Sequence, residues 1–142
     1  MQNKEKPAFT YRGVVYPWHC DHMGHMNVMW YVGKFDEATW HLFSHLGLTA
    51  GFLRENGRGM AAVEQTIQYR RELLAGDLVT IHSRVLELKE KSIRFLHEMR
   101  KDEADEVAAT TTLVGVCLDT AVRRACALPS FVHERAKELT AA

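Results

Sequence analysis

Hydrophobic and polar positions alternate along this chain with two different periods, and the changes of period mark out its elements. Between Asn27 and Gly47, the residues Tyr31, Phe35, Ala38, Leu42 and Leu46 recur at spacings of three and four, the apolar stripe of a helix. Asn27 suits the N-cap of that helix, which should run to about Leu46, and Gly47 suits its stop. Val32, Trp40 and Phe43 widen the apolar surface and leave mainly Lys34, Glu37, His41 and Ser44 as a polar ridge. A helix this apolar around its girth calls for a larger partner, such as a curved sheet.

Elsewhere the signals are those of strands. A Tyr- and Val-rich stretch from about Phe9 to Trp18 predicts a first strand, with Pro17 near its end. After a Gly-rich loop from Gly51 to Gly59, Val63, Ile67 and Tyr69 alternate with Glu64, Thr66 and Gln68. Gly76-Asp77 marks a turn, Leu78 to Leu88 the next strand, and Lys89-Glu90-Lys91 a short turn into Ser92–Arg100, where Ile93, Phe95, His97 and Met99 share a face. Lys101 to Glu106 is a charged loop before a last strand from Val107 to Asp119. Pro129-Ser130 opens a terminal helix over Phe131–Leu139, with Ser130 as its cap. One strand, one long helix and four closely connected strands make an α+β pattern, an antiparallel sheet with one buried helix.

Composition narrows the class. A chain of 142 residues suits one domain over 1–142, and 46% hydrophobic with 25% charged residues is the balance of a folded globular protein. Lys+Arg and Asp+Glu number 18 each, which excludes a general nucleic-acid binder, since that surface must displace counterions from phosphates. Cys20, Cys117 and Cys126 are odd in number and widely spaced, which suits a reducing compartment better than a disulfide framework. The polar N-terminus lacks a signal-peptide core, and no apolar run approaches the ~18–20 residues that span a bilayer. The expectation is a cytoplasmic protein with no membrane and no nucleic-acid partner.

The segment Trp18-His19-Cys20-Asp21-His22-Met23-Gly24-His25-Met26-Asn27-Val28-Met29-Trp30-Tyr31 resembles the Asp-x-x-Gly-His-x-Asn signature of hotdog-fold acyl-CoA thioesterases of the 4-hydroxybenzoyl-CoA type. Phe35-Asp36-Glu37-Ala38, Tyr69, Leu74-Ala75-Gly76-Asp77, Lys91-Ser92, Val116-Cys117-Leu118-Asp119 and Leu128-Pro129 extend the likeness, in order, over nearly the whole chain. The resemblance implies a five-stranded antiparallel sheet wrapped around the long helix. It also implies a homodimer joined edge to edge, with dimers often paired as a tetramer, and active sites between the subunits. The substrate it implies is an acyl-CoA; coenzyme A belongs to that substrate, and no separate cofactor or metal is expected.

By the same resemblance Asp21 matches the catalytic carboxylate, either attacking the acyl carbon or serving as general base to a water. A loop aspartate before a helix is also an ordinary cap. Backbone N–H groups at the helix entrance, near Val28, suit the oxyanion, and Gly24 lets backbone approach the thioester. His25 matches the family histidine, as a donor to the carbonyl, a partner for Asp21 or a structural loop residue. Asn27, Tyr31, Glu37 and Glu64 are candidate substrate contacts. Glu37 is also the reserve acid, since some relatives carry theirs on the helix, and it stands i,i+4 from His41. Lys89, Lys91 and Ser92 suit the nucleotide phosphates, with Arg70 and Arg71 as further cations.

Two departures stand out. His19 occupies the place where many relatives carry a second acid, and Val28-Met29-Trp30 replaces their proline- or asparagine-bearing segment. The crowding of His19, Cys20, Asp21, His22 and His25 invites a metal reading, but zinc ligands normally come in recognisable pairs, which Cys117 and Cys126 do not supply. A hotdog hydratase or dehydratase, built on His25 and Glu37, and a non-catalytic acyl-CoA sensor are the alternatives.

Overall fold

The apolar stripe forms α1 (Val28–His45) in the computed structural model, which describes residues 7–140. The N-cap is Asn27, whose side chain accepts from the Met29 N–H, and Gly47 follows the helix at φ +89°. The strands are β1 (Ala8–Val14), β2 (Arg58–Tyr69), β3 (Leu78–Leu88), β4 (Ser92–Lys101), β5 (Glu106–Asp119) and β6 (Arg124–Ala125). They pair antiparallel throughout in the order β1-β3-β4-β5-β2, with the two-residue β6 added against the end of β5. The architecture is the expected α+β hotdog arrangement, with α1 enclosed by the sheet.

Three local expectations change. β1 stops at Val14, because Pro17 has no N–H for a ladder and instead opens a 3-10 turn, Pro17–His19. Part of the Gly51–Gly59 segment is helical: α2 (Ala50–Glu55) is capped by Thr49, whose hydroxyl accepts from the Phe52 N–H, and it buries Leu53. Lys34 leaves the polar ridge of α1. Its side chain is buried, with Nζ 2.9 Å from the Tyr11 hydroxyl and 3.3 Å from the Val14 carbonyl, so the cation is hydrogen-bonded under β1.

The core has two halves strung along α1. Tyr31, Phe35 and Ala38 pack with Val79, Ile81, Met99, Ala108 and Ala109, near the start of the helix. Leu42, Phe43 and Leu46 pack with Val85, Ile93, Phe95 and Leu113, together with Val132 and Ala136 of α3 (Ser130–Thr140). His97 sits between the two halves, fully buried, with its ring stacked on Phe35. His97 Nε2 is hydrogen-bonded to the Thr39 hydroxyl at 2.8 Å and Nδ1 to the Ser83 hydroxyl, so both ring nitrogens have partners. Burial pushes its pKa down from 6.5 to about 3, and the ring is neutral in the folded chain.

That depression makes stability depend on pH. The unfolded chain takes a proton at His97 below about 6.5, whereas the folded chain takes none until about 3. Its contribution is present in full above 6.5 and is lost as pH falls through that window, by up to about 1.4 kcal/mol per pH unit. Urea unfolding at pH 7 and pH 5 should show a smaller loss for His97→Gln than for the parent chain. Equal losses in the two proteins would contradict the neutral buried ring.

Candidate active site

The segment between β1 and α1 is a tight reverse turn followed by a helix cap. Cys20 and Met26 form an isolated bridge, the Asp21 N–H donates to the His25 carbonyl at 3.2 Å, and the Gly24 N–H donates to the Asp21 carbonyl at 3.0 Å. Gly24 closes the turn at φ +87°, a left-handed conformation that a Cβ disfavours. Within one chain nothing lies within 4 Å of where a Cβ would stand, so Gly24 is required here by its backbone rather than by crowding. His19 underpins the turn: it is buried, its Nδ1 accepts from the Tyr16 N–H at 2.9 Å, and its ring lies 4.5 Å from that of Trp30. Burial lowers its pKa, helped by the nearby Lys34 cation. His19 is therefore a structural acceptor beneath the turn.

Asp21 is tied to the helix through Asn27. One carboxylate oxygen accepts from the Met23 N–H and the other from the Asn27 amide, both at 2.8 Å. The Asn27 carbonyl oxygen of the same side chain caps the Met29 N–H at 2.9 Å. The Asn27 amide, then the Met23 N–H and the fields of His25 and His22, hold the Asp21 pKa below its ordinary value, so the carboxylate is ionised at neutral pH. Met29 and Trp30 N–H groups are both taken by Asn27, which leaves the Val28 N–H unclaimed among the described residues at the positive end of the helix.

Beside this turn lies an open cleft of about 260 Å³, walled by His25, Met26, Val28 and Tyr31 on one side and Tyr69, Arg70, Arg71 and Glu72 on the other. The Tyr31 hydroxyl donates to the Arg71 carbonyl at 3.0 Å, and its ring meets Tyr69 edge to face at 5.1 Å. Burial raises the Tyr31 pKa to about 12, so it presents a neutral aromatic wall. His25 Nε2 lies 3.7 Å from Glu72, not against Asp21, and it influences Asp21 through charge alone. Tyr69 and Glu72 were missed as lining residues, and Arg71 is paired with Glu106 at 2.8 Å. No sequence signal placed them here, because the cleft is made by the chain folding β2 back beside the helix entrance.

Other candidates lie elsewhere. Glu37 is exposed and its field reaches Tyr11, His19 and Lys34, so it faces β1 and not the cleft. The neighbouring Asp36 is the helix acid that lines a groove, a narrower one of about 110 Å³ with Trp40, Phe43, Met60 and Phe95. Glu64 is exposed on β2, just beyond a register shift at Ala62, and lines neither space. Lys89, Lys91 and Ser92 form the β3–β4 turn, at the opposite end of the strands from Asp21. The ten residues of β4 separate the two ends, about 30 Å of extended chain. The turn's backbone is fixed by Cys117 N–H on the Lys91 carbonyl at 2.9 Å and Leu128 N–H on the Glu90 carbonyl at 2.8 Å, with both lysines exposed.

Comparison with known proteins agrees with the fold. A family model described as the thioesterase-like superfamily matches residues 15–136. The L-carnitine dehydrogenase/betainyl-CoA thioesterase of Agrobacterium fabrum is 29% identical over 121 residues, 85% of this chain; the chain spans only 25% of that protein's length. The long-chain acyl-CoA thioesterase FadM of Escherichia coli is 25% identical over 122 residues, covering 86% of this chain and 92% of FadM. A Staphylococcus aureus protein solved in complex with CoA superposes with a TM-score of 0.86 at 19% identity, covering 97% of this chain and 87% of its own.

The link between Asn27 and Asp21 has two measurable consequences. Asn27→Ala should cost about 1 kcal/mol of stability through the lost cap. It should also raise the Asp21 pKa, read from the carboxyl carbon in an NMR titration. An unchanged titration would mean that the amide does not set the charge on Asp21.

Proposed function

Because the chain belongs to the thioesterase-like superfamily, we propose that it hydrolyses acyl-CoA thioesters of the 4-hydroxybenzoyl-CoA thioesterase type, with Asp21 as the reacting carboxylate. The observation that carries this reading is a carboxylate held ionised beside a helix entrance whose Val28 N–H is unclaimed. The carboxylate attacks the acyl carbon, and the oxygen that gains charge is received by the Val28 N–H in the field of α1. Collapse breaks the carbon–sulfur bond, releases the CoA thiolate and leaves an anhydride on Asp21. Water then cleaves the anhydride and restores the carboxylate. The depressed pKa keeps the carboxylate in the ionised form that attack on carbon and general-base catalysis both require. No cofactor enters the scheme.

The separation of the two candidate groups supports a site shared between two copies. β2 is one of the two outer strands of the sheet, beside β5, with most of its residues exposed. An unpaired edge of this length is a template for a second strand. A two-fold axis across β2 runs the second sheet the opposite way, which carries the second copy's Lys89-Lys91-Ser92 turn toward the Asp21 end of the first. The phosphates of CoA then meet one chain's turn while the thioester meets the other chain's Asp21. The known relatives named for betainyl-CoA and long-chain acyl-CoA differ in acyl group, and Val28-Met29-Trp30 gives this chain its own cleft wall.

Free-thiol release from aromatic, short-chain and long-chain acyl-CoAs tests the chemistry. At least one member should turn over, and Asp21→Asn should lower kcat by about 10²–10⁴-fold while CoA binding persists. A panel with no release, or an Asp21→Asn variant with full activity, sinks the assignment. Light scattering tests the shared site: the active species should be at least a dimer, and a fully active monomer would overturn it.

A further inference from the structure

Cys117 and Cys126 stand beside the β3–β4 turn, at the opposite end of the strands from Asp21, and take no part in the chemistry above. They face each other across the β5–β6 hairpin. Leu118 pairs with Ala125 and Asp119 with Arg124, and the Cys126 N–H donates to the Cys117 carbonyl at 2.8 Å. This register puts the two sulfurs 3.6 Å apart. The turn between them is rigidly built: Asp119 Oδ1 accepts from the Ala121 and Val122 N–H groups, the Arg123 N–H returns to the Asp119 carbonyl, and Arg58 pairs with the Asp119 carboxylate. Both thiols are free; Cys117 is fully buried and Cys126 is partly exposed.

We propose that Cys117 and Cys126 form a dithiol modification site that closes to an intrachain disulfide when it meets a low-molecular-weight disulfide. The hairpin fixes the order of events. Cys126 is the sulfur that an incoming disulfide can reach, so its thiolate attacks one sulfur of that molecule, forms a mixed disulfide and releases the first small thiol. Cys117 then gives up its proton to solvent or to the released thiolate and attacks the Cys126 sulfur, which expels the second small thiol. Two protein S–H groups are lost, one protein S–S bond is gained, and the incoming disulfide is reduced to two thiols. Burial and the neighbouring sulfur push the Cys117 pKa up to about 12, so the partly exposed Cys126 is the thiol that reacts first. Antiparallel neighbours in a ladder lie within the ~4.4–6.8 Å Cα separation that a disulfide spans, so closure asks for side-chain rotation rather than backbone movement.

The site also adjoins the β3–β4 turn. The Cys117 N–H and the Leu128 N–H, which flank the two thiols, are the groups that hold the Lys91 and Glu90 carbonyls. Closure therefore latches the two-residue β6 beneath that turn.

The test uses the full chain in a Cys20→Ser background, so that the third thiol does not react. The folded protein is incubated with oxidised glutathione, quenched in acid and measured by intact mass and peptide mapping. The expected product has lost two hydrogens, retains no glutathione and yields a cross-linked peptide pair containing residues 117 and 126. Cys117→Ala should instead trap one glutathione on Cys126, and Cys126→Ala should leave Cys117 unmodified while the protein stays folded. Stable glutathione on Cys126 in the chain that retains Cys117 would overturn the proposal. Two thiols that remain free at oxidant levels sufficient to trap Cys126 in the Cys117→Ala variant would overturn it equally. The cross-linked peptide from the chain carrying both cysteines decides the matter even where a variant fails to fold.

Discussion

An eighteen-residue helix with apolar side chains on most of its circumference has no stable place in water, and the rest of this molecule is arranged to enclose it. Phe35, Ala38, Leu42 and Leu46 are fully shielded, and strands from β3, β4 and β5 supply the facing side chains. Even the polar groups obey the enclosure. Lys34 is buried with Tyr11 and Val14 accepting its hydrogen bonds, and His97 with Thr39 and Ser83 as partners for its ring nitrogens.

Burying the helix body has a chemical by-product at its entrance. Once the inner face of the helix is covered, its first N–H groups are left at an exposed mouth, and Asn27 settles two of them while holding Asp21 in place with the other end of its amide. One side chain thus connects a structural need, the helix cap, to an electrostatic one, a carboxylate kept ionised. Gly24 serves the same turn by accepting a left-handed backbone. The active-site reading grows out of the capping problem rather than being added to it.

The sheet is less self-sufficient than the helix. Its outer strand β2 leaves Val63 and Tyr69 exposed, and the apolar groove with Asp36 opens alongside it. The Lys89–Ser92 turn lies about 30 Å along β4 from the Asp21 turn, farther than one chain can bridge by side-chain movement. These features share one physical origin: a sheet that curls around a helix without closing on itself keeps an edge.

Periodicity and punctuation determined the elements, because apolar spacing and capping residues act locally. The stripe from Tyr31 to Leu46, the Asn27 cap and the alternation of β4 could all be read without any knowledge of packing. Local signals failed where a tertiary contact outweighed them. Burial of Leu53 helped make a helix of a Gly-rich stretch, and β6 exists only as an addition to β5, whereas the 3-10 turn at Pro17 follows from a local cause, its missing N–H. The motif around Asp21 was legible because its residues are neighbours in the chain. Arg70 and Arg71 could be named as candidate cations, but that Tyr69 to Glu72 form the far wall of the cleft was not legible, and neither was the direction in which Glu37 and Asp36 point from one helix. Sequence by itself determined which groups could carry the chemistry; only the tertiary structure decided which of them meet, because distance in space is set by how the sheet closes around the helix.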